Sequence, residues 1–169
     1  WDLAEGLRRF DTQDNTGKTV TLYQCLRPHS IREECDRSLQ RLRTDYIDLY
    51  QIHWPDPTTP LEDTMDTLMS LRKAGKIRYI GVSNLSVEEM DRCRARGEVV
   101  SVQPLFNALE RHAEQEIIPY CQEFGLGVLA YSPLAQGLLT GAITADRKFS
   151  DGDARADKPL FSSDSRRRV

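Results

Sequence analysis

Hydrophobic and polar positions follow two patterns along this chain, and the patterns succeed each other in a regular order. Short apolar runs begin at Ile47, Ile77, Val99 and Gly127 and predict strands. Between them, apolar residues recur at helical spacing and predict helices. The strand starts are 30, 22 and 28 positions apart, a cadence typical of parallel strands joined by helical crossovers. The pattern therefore predicts four successive β-α units of an α/β fold.

Capping residues and glycines set the predicted ends of the helices. Three pairs match a capping box, in which a hydroxyl and a glutamate satisfy the first main-chain N–H groups. These pairs are Ser30 with Glu33, Thr59 with Glu62, and Ser86 with Glu89. A fourth helix begins near Ile118, because Pro119 suits a first turn and would break an interior one. The predicted helix stops are Gly75, Gly97 and Gly125.

The regular pattern divides the chain into three parts of a single domain. Residues 1–29 lack clear periodicity and are interpreted as a long polar excursion on the surface. Residues 30–141 carry the β-α units, and residues 142–169 form a polar tail with scattered apolar positions. A start on Trp1 rather than on methionine indicates that the sequence is part of a longer chain.

Composition narrows the class of protein. Of the 169 residues, 39% are hydrophobic and 29% are charged, and the net charge is −3 with both signs interspersed. This balance predicts an ordinary globular domain with no nucleic-acid surface and no membrane-binding patch. The four cysteines have neither metal-ligand nor disulfide-framework spacing, so no metal site is expected. The absence of a signal peptide and of a long apolar run predicts a cytoplasmic location.

Polar residues stand at the predicted end of every strand. Both a doubly wound sheet and a (β/α)₈ TIM barrel consist of β-α units that follow one another at this spacing. The glycine-rich turn G-x-G-x-x-G of the doubly wound sheet is absent, however. A barrel is therefore favoured, and barrel enzymes draw their catalytic groups from the carboxyl ends of several strands. The strand-end residues are His53, Ser83, Asn84, Gln103, Tyr131 and Ser132.

Four segments together resemble the aldo-keto reductase superfamily, in the order and spacing of that family. The segments are Asp45–Asp56 (DYIDLYQIHWPD), Gly75–Asn84 (GKIRYIGVSN), Val102–Asn107 (VQPLFN) and Ala130–Gly141 (AYSPLAQGLLTG). The resemblance implies a (β/α)₈ barrel represented here by about four consecutive units. It also implies that the sequence is the central portion of a family member, from just after the third barrel strand to just after the seventh.

The resemblance implies a role for each strand-end residue in carbonyl reduction. His53 matches the catalytic histidine that holds the substrate carbonyl, and Trp54 becomes a wall of the substrate pocket. Tyr131 matches the aromatic residue that stacks on the nicotinamide ring. The residues expected to bind the nicotinamide carboxamide are Ser83, Asn84 and Gln103. The residues expected in the loop along the pyrophosphate are Ser132, Leu134, Gln136 and Gly137.

The implied function is reduction of an aldehyde or ketone to an alcohol by hydride transfer, with NADP(H) as the expected cofactor and NAD(H) as the alternative. The family also uses an aspartate, a tyrosine and a lysine on earlier strands, and residues 1–29 contain no match to them. A fragment limited to this sequence is therefore expected to be inactive. The alternative function is a non-catalytic cofactor-sensing or partner-binding subunit of the same fold. Structural roles also remain open: Gln103 as a strand cap, Tyr131 as a core residue, and Ser83 with Asn84 as a turn.

Overall fold

A four-stranded parallel sheet lies at the centre of the computed structural model, which describes residues 6–13, 16–150 and 152–169. Short 3₁₀ turns occur at His112–Glu114, Ala135–Thr140 and Pro159–Phe161. In chain order the strands and helices are β1 (Leu7–Gln13), β2 (Thr19–Gln24), α1 (Pro28–Leu42), β3 (Ile47–Ile52), α2 (Leu61–Lys73), β4 (Ile77–Ser83), α3 (Val87–Arg96), β5 (Ser101–Gln103), α4 (Ile117–Phe124), β6 (Gly127–Val128) and α5 (Ser163–Arg167).

The sheet follows sequence order, β3-β4-β5-β6, and every pairing in it is parallel. Helices α2, α3 and α4 make the three crossovers. Because parallel strands all point the same way, their carboxyl ends meet at one end of the sheet. The predicted α/β fold with four β-α units is thus confirmed.

The two faces of the sheet differ in character. On one face, Ile52, Val82 and Val102 are buried in an apolar core with residues of α1, α2, α3 and α4. On the other face, Gln51 and Ser101 flank Gly81 in a single register row. A Cβ on Gly81 would stand 2.5 Å from Ser101 Oγ and 2.7 Å from Gln51 Oε1, so only glycine allows these side chains to approach.

Two of the three predicted capping boxes are wrong. Helix α1 begins at Pro28, whose fixed φ suits a first helical position, and Ser30 lies buried inside the helix. Helix α2 begins at Leu61 after Pro60, and the Thr59 hydroxyl donates to Asp56 instead of capping the helix. The box at the start of α3 is present in full and is confirmed.

The later strands are shorter than predicted. The third predicted strand, 99–102, is observed as β5, which begins two residues later than predicted. The N–H of Val100, just before β5, donates to Ile80 O. The fourth predicted strand, 127–130, is reduced to β6 and an isolated bridge between Leu105 and Tyr131. Both differences concern strand ends, where few ladder hydrogen bonds define the element.

The excursion predicted over residues 1–29 contains a hairpin, which the sequence analysis missed. Strands β1 and β2 pair antiparallel, with an irregularity between Arg8 and Phe10. Thr19–Gln24 (TVTLYQ) is rich in strand-forming residues, and that signal was available in the sequence. The first five residues and residues 14–15 of the predicted excursion lie outside the described ranges.

The tail has a small core of its own. Ala135, Leu138, Ile143 and Phe161 are buried together, with Phe149 packed against them. The scattered apolar residues of the predicted polar tail therefore fix it to the loop after β6. Over the residues that the structure covers, no helix combines the length and the apolar character needed to cross a membrane.

The edges of the sheet lead to a prediction about residues 1–169 produced alone. Among the described strands, β3 pairs only with β4 and β6 only with β5, and Val128 and Leu129 at the β6 edge are 39% and 42% exposed. Open edges next to exposed apolar side chains favour pairing with another chain. We expect light scattering to show self-association and the substitution Leu129→Lys to reduce it. A monomer at high concentration would contradict this expectation.

Candidate functional site

His53 and Trp54 directly follow β3 at the carboxyl end of the sheet. Both side chains are exposed, and their ring centroids are 6.1 Å apart with an angle of 52° between the planes. The Arg9 guanidinium of β1 lies 5.7 Å from the centroid of the Trp54 ring. The hairpin thus contributes a cation to the predicted substrate wall. Sequence reasoning missed Arg9, because no local pattern connects residue 9 with residue 54.

Asn84 connects three strand ends through its side-chain amide. Its Nδ2 donates to the main-chain oxygen of His53 at 2.8 Å and to Ser83 Oγ at 3.0 Å. Its Oδ1 accepts a hydrogen bond from the Tyr131 hydroxyl at 3.0 Å. Asn84 has a φ of 58°, a left-handed conformation that asparagine tolerates better than most residues. The ends of β3, β4 and β6 are thereby held together by one side chain.

Ser83 and Gln103 occupy the last paired row of β4 and β5. Ser83 is buried, and its hydroxyl donates to the main-chain oxygen of Gln103 at 2.7 Å. The Gln103 side-chain amide is half-buried in the same row. The serine hydroxyl is thus hydrogen-bonded within the protein, and Gln103 and His53 are more exposed than Ser83.

Tyr131 is anchored at both its main chain and its hydroxyl. Its main-chain N–H donates to Pro104 O, and its hydroxyl donates to Asn84. Burial raises the pKa of the Tyr131 phenol, and the nearby carboxylate of Glu110 adds to the increase. The phenol therefore stays neutral near pH 7 and keeps its hydrogen bond.

The loop after Tyr131 has an unusual backbone. Ser132, Ala135 and Gln136 have φ values of 52°, 47° and 54°, and Gly137 has a φ of 98°. Leu134, at φ −101° and ψ 19°, precedes the left-handed run. Within the loop, the N–H groups of Ala135 and Gly137 donate to the main-chain oxygens of Ser132 and Leu134, so the loop's own hydrogen bonds hold the turn.

Asn107 supports the start of this loop, and sequence reasoning missed it as well. It is buried, and its Nδ2 donates to Ser132 O at 3.1 Å and to Glu110 Oε2 at 2.9 Å. Its Oδ1 accepts from the main-chain N–H groups of Leu109 and Glu110. The amide thus fixes the loop after β5 against the loop after β6.

Asp56 organises the loop that carries His53 and Trp54. Its carboxylate is buried and accepts hydrogen bonds from the N–H of Leu26 at 2.9 Å, the hydroxyl of Thr58 at 2.7 Å and the hydroxyl of Thr59 at 2.9 Å. Burial alone would raise the pKa of Asp56, but these hydrogen bonds outweigh it and lower the pKa below its usual value. The ionised carboxylate ties this loop to the chain entering α1.

A cavity of about 310 Å³ lies along the unpaired side of β3. Its lining includes His53 and Trp54 at one end, apolar residues of α1 and α2, and Tyr50. The Tyr50 side chain packs against the apolar core, and burial raises the pKa of its phenol. Tyr50 therefore lies on the face of the sheet opposite Gln51, away from the Asn84 network.

The predicted site residues fall into two groups. Hydrogen bonds join the strand-end residues into one network. Outside this network, Gln136 contacts Lys158 of the tail and Leu134 is exposed. Trp54 lies beside Arg9, and the main-chain oxygen of Ser132 accepts from Asn107. The members of the network are His53, Ser83, Asn84, Gln103 and Tyr131.

Comparison with known proteins identifies relatives over most of the chain. The model of the aldo/keto reductase family matches residues 17–165. Aldo-keto reductase YhdN of Bacillus subtilis (strain 168) is 47% identical over 131 residues, which are 78% of this chain and 40% of that protein. The NADH-specific methylglyoxal reductase of Escherichia coli (strain K12) is 43% identical over 151 residues, 88% of this chain and 46% of that protein.

Solved structures agree with these sequence matches and with the predicted barrel class. The glycerol dehydrogenase AKR11B4 from Gluconobacter oxydans has a TM-score of 0.84 and 39% identity, over 92% of this chain and 47% of that one. An aldo/keto reductase from Klebsiella pneumoniae in complex with NADP and acetate has a TM-score of 0.59 and 39% identity, over 63% and 38%. The chain spans less than half the length of each of these four proteins.

The hydrogen bonds of Asp56 lead to a prediction about stability. Asp56→Ala should lower the free energy of unfolding by about 2 to 3 kcal/mol at pH 7, because buried donors lose a charged acceptor. The folded pKa is depressed below the ordinary value of 3.8, so this stabilisation is present above that value and is lost as pH falls through the folded pKa. Urea unfolding at pH 7 and pH 3 measures both effects.

The matched control is Asp146→Ala, which removes an exposed carboxylate. We expect it to change the free energy of unfolding by less than about 0.5 kcal/mol. Equal stability of the Asp56 and Asp146 variants at pH 7 would show that the buried carboxylate does not hold this loop.

Proposed function

This chain belongs to the aldo/keto reductase family, and we propose on that basis that it forms the central part of an oxidoreductase that reduces aldehydes or ketones to alcohols with NAD(P)H. The observation that carries the proposal is the network through Asn84, which gathers His53, Ser83 and Tyr131 at the carboxyl end of the sheet. Ligands of barrel enzymes bind at this end. A small-molecule carbonyl substrate and a cytoplasmic location are part of the same proposal.

His53 is proposed to act on the carbonyl oxygen. Its ring is exposed at the end of β3, and its main-chain oxygen is fixed by Asn84 at 2.8 Å. A positioned imidazole N–H can donate to the carbonyl oxygen and stabilise the negative charge that develops there during reduction. Trp54 provides an apolar wall beside it, and Arg9 adds a positive charge at the rim.

The strand-end side chains have the chemistry that a nicotinamide carboxamide requires. An amide ligand needs both donors and acceptors, and Ser83, Asn84 and Gln103 supply hydroxyl and amide groups at adjacent strand ends. Asn84 and Ser83 already use these groups within the protein, so carboxamide binding exchanges internal hydrogen bonds for external ones. Such an exchange costs little in net free energy and makes recognition depend on geometry.

Tyr131 and the following loop are proposed to hold the rest of the cofactor, which supplies the hydride when bound. The Tyr131 ring is fixed by its hydrogen bond to Asn84 and offers a face for stacking. The loop from Ser132 through Leu134 and Gln136 to Gly137 is proposed to run along the pyrophosphate, where the glycine allows a close backbone approach. One relative named above is NADH-specific and one structure contains NADP, so both cofactors are compatible with the proposal.

The reduction also needs a proton on the alcohol oxygen. Tyr50 is unsuited to supply it, because its side chain is partly buried against the apolar core and burial raises the pKa of its phenol. The Tyr131 hydroxyl already donates to Asn84. We therefore assign proton delivery to the family's aspartate, tyrosine and lysine, which have no match in residues 1–29. A fragment limited to residues 1–169 is expected to be inactive.

The first prediction of this proposal concerns His53 in the protein with its complete natural sequence. His53→Ala should lower kcat/KM for carbonyl reduction by about 100-fold, because a positioned donor to the oxygen is lost. Cofactor affinity should stay within about twofold, since the main-chain contact to Asn84 remains. Steady-state NADPH oxidation with a panel of aldehydes measures the effect.

His112→Ala is the control, because His112 is an exposed histidine on the loop after β5. An unchanged rate in the His53 variant would refute the assignment. Cofactor binding without turnover by the wild type would favour the alternative, a non-catalytic cofactor-sensing or partner-binding subunit.

The second prediction concerns Tyr131. Tyr131→Ala should weaken cofactor binding by about 1 kcal/mol, the scale of an aromatic stacking contact. Tyr131→Phe keeps the ring and removes only the hydrogen bond to Asn84, so it should bind the cofactor more tightly than Tyr131→Ala. Quenching of tryptophan fluorescence on cofactor titration gives both constants. Wild-type affinity in the alanine variant would mean that Tyr131 only fills space.

A further inference from the structure

The loop after Tyr131 is held in a conformation that its sequence does not favour. Ala135 and Gln136 both have positive φ, although only the third residue of the run, Gly137, adopts this conformation without strain. A non-glycine residue persists there when the surrounding structure holds it in place. Hydrogen bonds within the loop, such as Gly137 N to Leu134 O at 2.9 Å, hold the turn, and the contacts of Gln136 add to them.

Two cations from the tail converge on Gln136. Arg155 Nη1 donates to the main-chain oxygen of Gln136 at 3.3 Å. Lys158 Nζ donates to Gln136 Oε1 at 3.0 Å. One residue is thus fixed at both its backbone and its side chain by residues about twenty positions further along the chain.

Arg155 is itself held in place. Its guanidinium donates from Nε to Asp153 Oδ1 at 2.9 Å and from Nη2 to Asp153 Oδ2 at 2.7 Å. This pairing lowers the pKa of Asp153 to about 2, so the carboxylate is ionised throughout the neutral range. The guanidinium also lies 5.4 Å from the Phe149 ring, which packs edge-on against Phe161.

The small core of the tail joins these contacts to the loop. Phe161 is buried with Ala135, Leu138 and Ile143, so apolar packing holds the tail against both sides of Gln136. Packing alone does not select a conformation for Gln136, whose side chain is exposed. The two cations act on this residue directly, and they add positive charge beside a loop proposed to receive an anion.

We propose that Arg155 and Lys158 are positioning residues that hold Gln136, so that the loop keeps the conformation in which it lies along the pyrophosphate of the dinucleotide. This inference rests on the proposed function, because it assigns a role within the same cofactor site. If the inference holds, removing either cation weakens binding of the pyrophosphate part of the ligand. The nicotinamide contacts at Tyr131 are unaffected.

The test uses the protein with its complete natural sequence and two pairs of probes. The pairs are NADP⁺ with 2′-phospho-ADP-ribose and NAD⁺ with ADP-ribose, in which the second member keeps the pyrophosphate and lacks nicotinamide. Calorimetric titration gives Kd for the wild type, Arg155→Ala, Lys158→Ala and Tyr131→Ala. Steady-state kinetics at saturating cofactor gives kcat, and thermal unfolding gives Tm.

Arg155→Ala and Lys158→Ala should each weaken the dinucleotide and its ADP-ribose fragment by the same factor, about three- to fivefold for such partly exposed contacts. The kcat at saturating cofactor should not change. Tyr131→Ala should weaken the dinucleotide alone. Arg155→Lys keeps the charge and should recover part of the affinity, and this conservative variant also serves if Arg155→Ala folds poorly.

Arg167→Ala is the matched control. It removes an arginine of the same tail that pairs with exposed Asp164 at 3.2 Å and does not contact the loop. If the Arg155 and Lys158 variants bind the ADP-ribose fragments as tightly as this control does, the inference is wrong and the proposed function still stands. Weakening of the dinucleotide without weakening of the fragment would overturn the inference too. A wild type that binds no probe would overturn the proposed function, and the inference with it.

Discussion

The parallel register of β3, β4 and β5 is the constraint on which the rest of the structure depends. Gln51, Gly81 and Ser101 share one row, and Ser83 pairs with Gln103 two positions further along. Glycine at position 81 allows the three strands to pair in this row, because a side chain there would collide with both Gln51 and Ser101. With that register fixed, His53 and Asn84 emerge at the same end of the sheet.

At this end of the sheet, Asn84 joins the residues that follow separate strands. Its side chain spans from the main chain of His53 to the hydroxyl of Tyr131, the residues that follow the first and last strands of the sheet. The backbone of Asn84 is left-handed, and its amide bonds to the neighbouring strand ends. The same amide is proposed to recognise the cofactor, so cofactor binding and the alignment of His53 are coupled through one side chain.

The sequence predicts the centre of this fold better than its surroundings. Strands β3 and β4 and the capped start of α3 follow from local patterns, because apolar runs and a Ser-Glu pair act within a few residues. The start of α1 differs from the prediction because Pro28 fixes its first turn. The start of α2 differs because the Thr59 hydroxyl donates to Asp56 and does not cap the helix. The hairpin was missed because the charged pair Arg8 and Arg9 interrupts the alternation of β1.

A physical distinction separates the site residues found by sequence from those that were missed. Residues at strand ends are placed by their own strand, so the positions of His53, Gln103 and Tyr131 in the fold can be predicted from local pattern. Arg9, Asp56, Asn107, Arg155 and Lys158 act across loops, through contacts that no local spacing encodes.

These missed residues nevertheless set the conformation of the segments next to the site. Asp56 ties the loop after His53 to Leu26, and Asn107 ties the loop after β5 to Ser132. Both are buried polar groups that form one hydrogen bond to a distant main-chain atom and the others to neighbouring residues, so a change in either loop would weaken the link between the two segments. The parallel sheet thus fixes where the proposed site residues are placed. Long-range polar contacts fix the loops that the substrate and cofactor are proposed to meet.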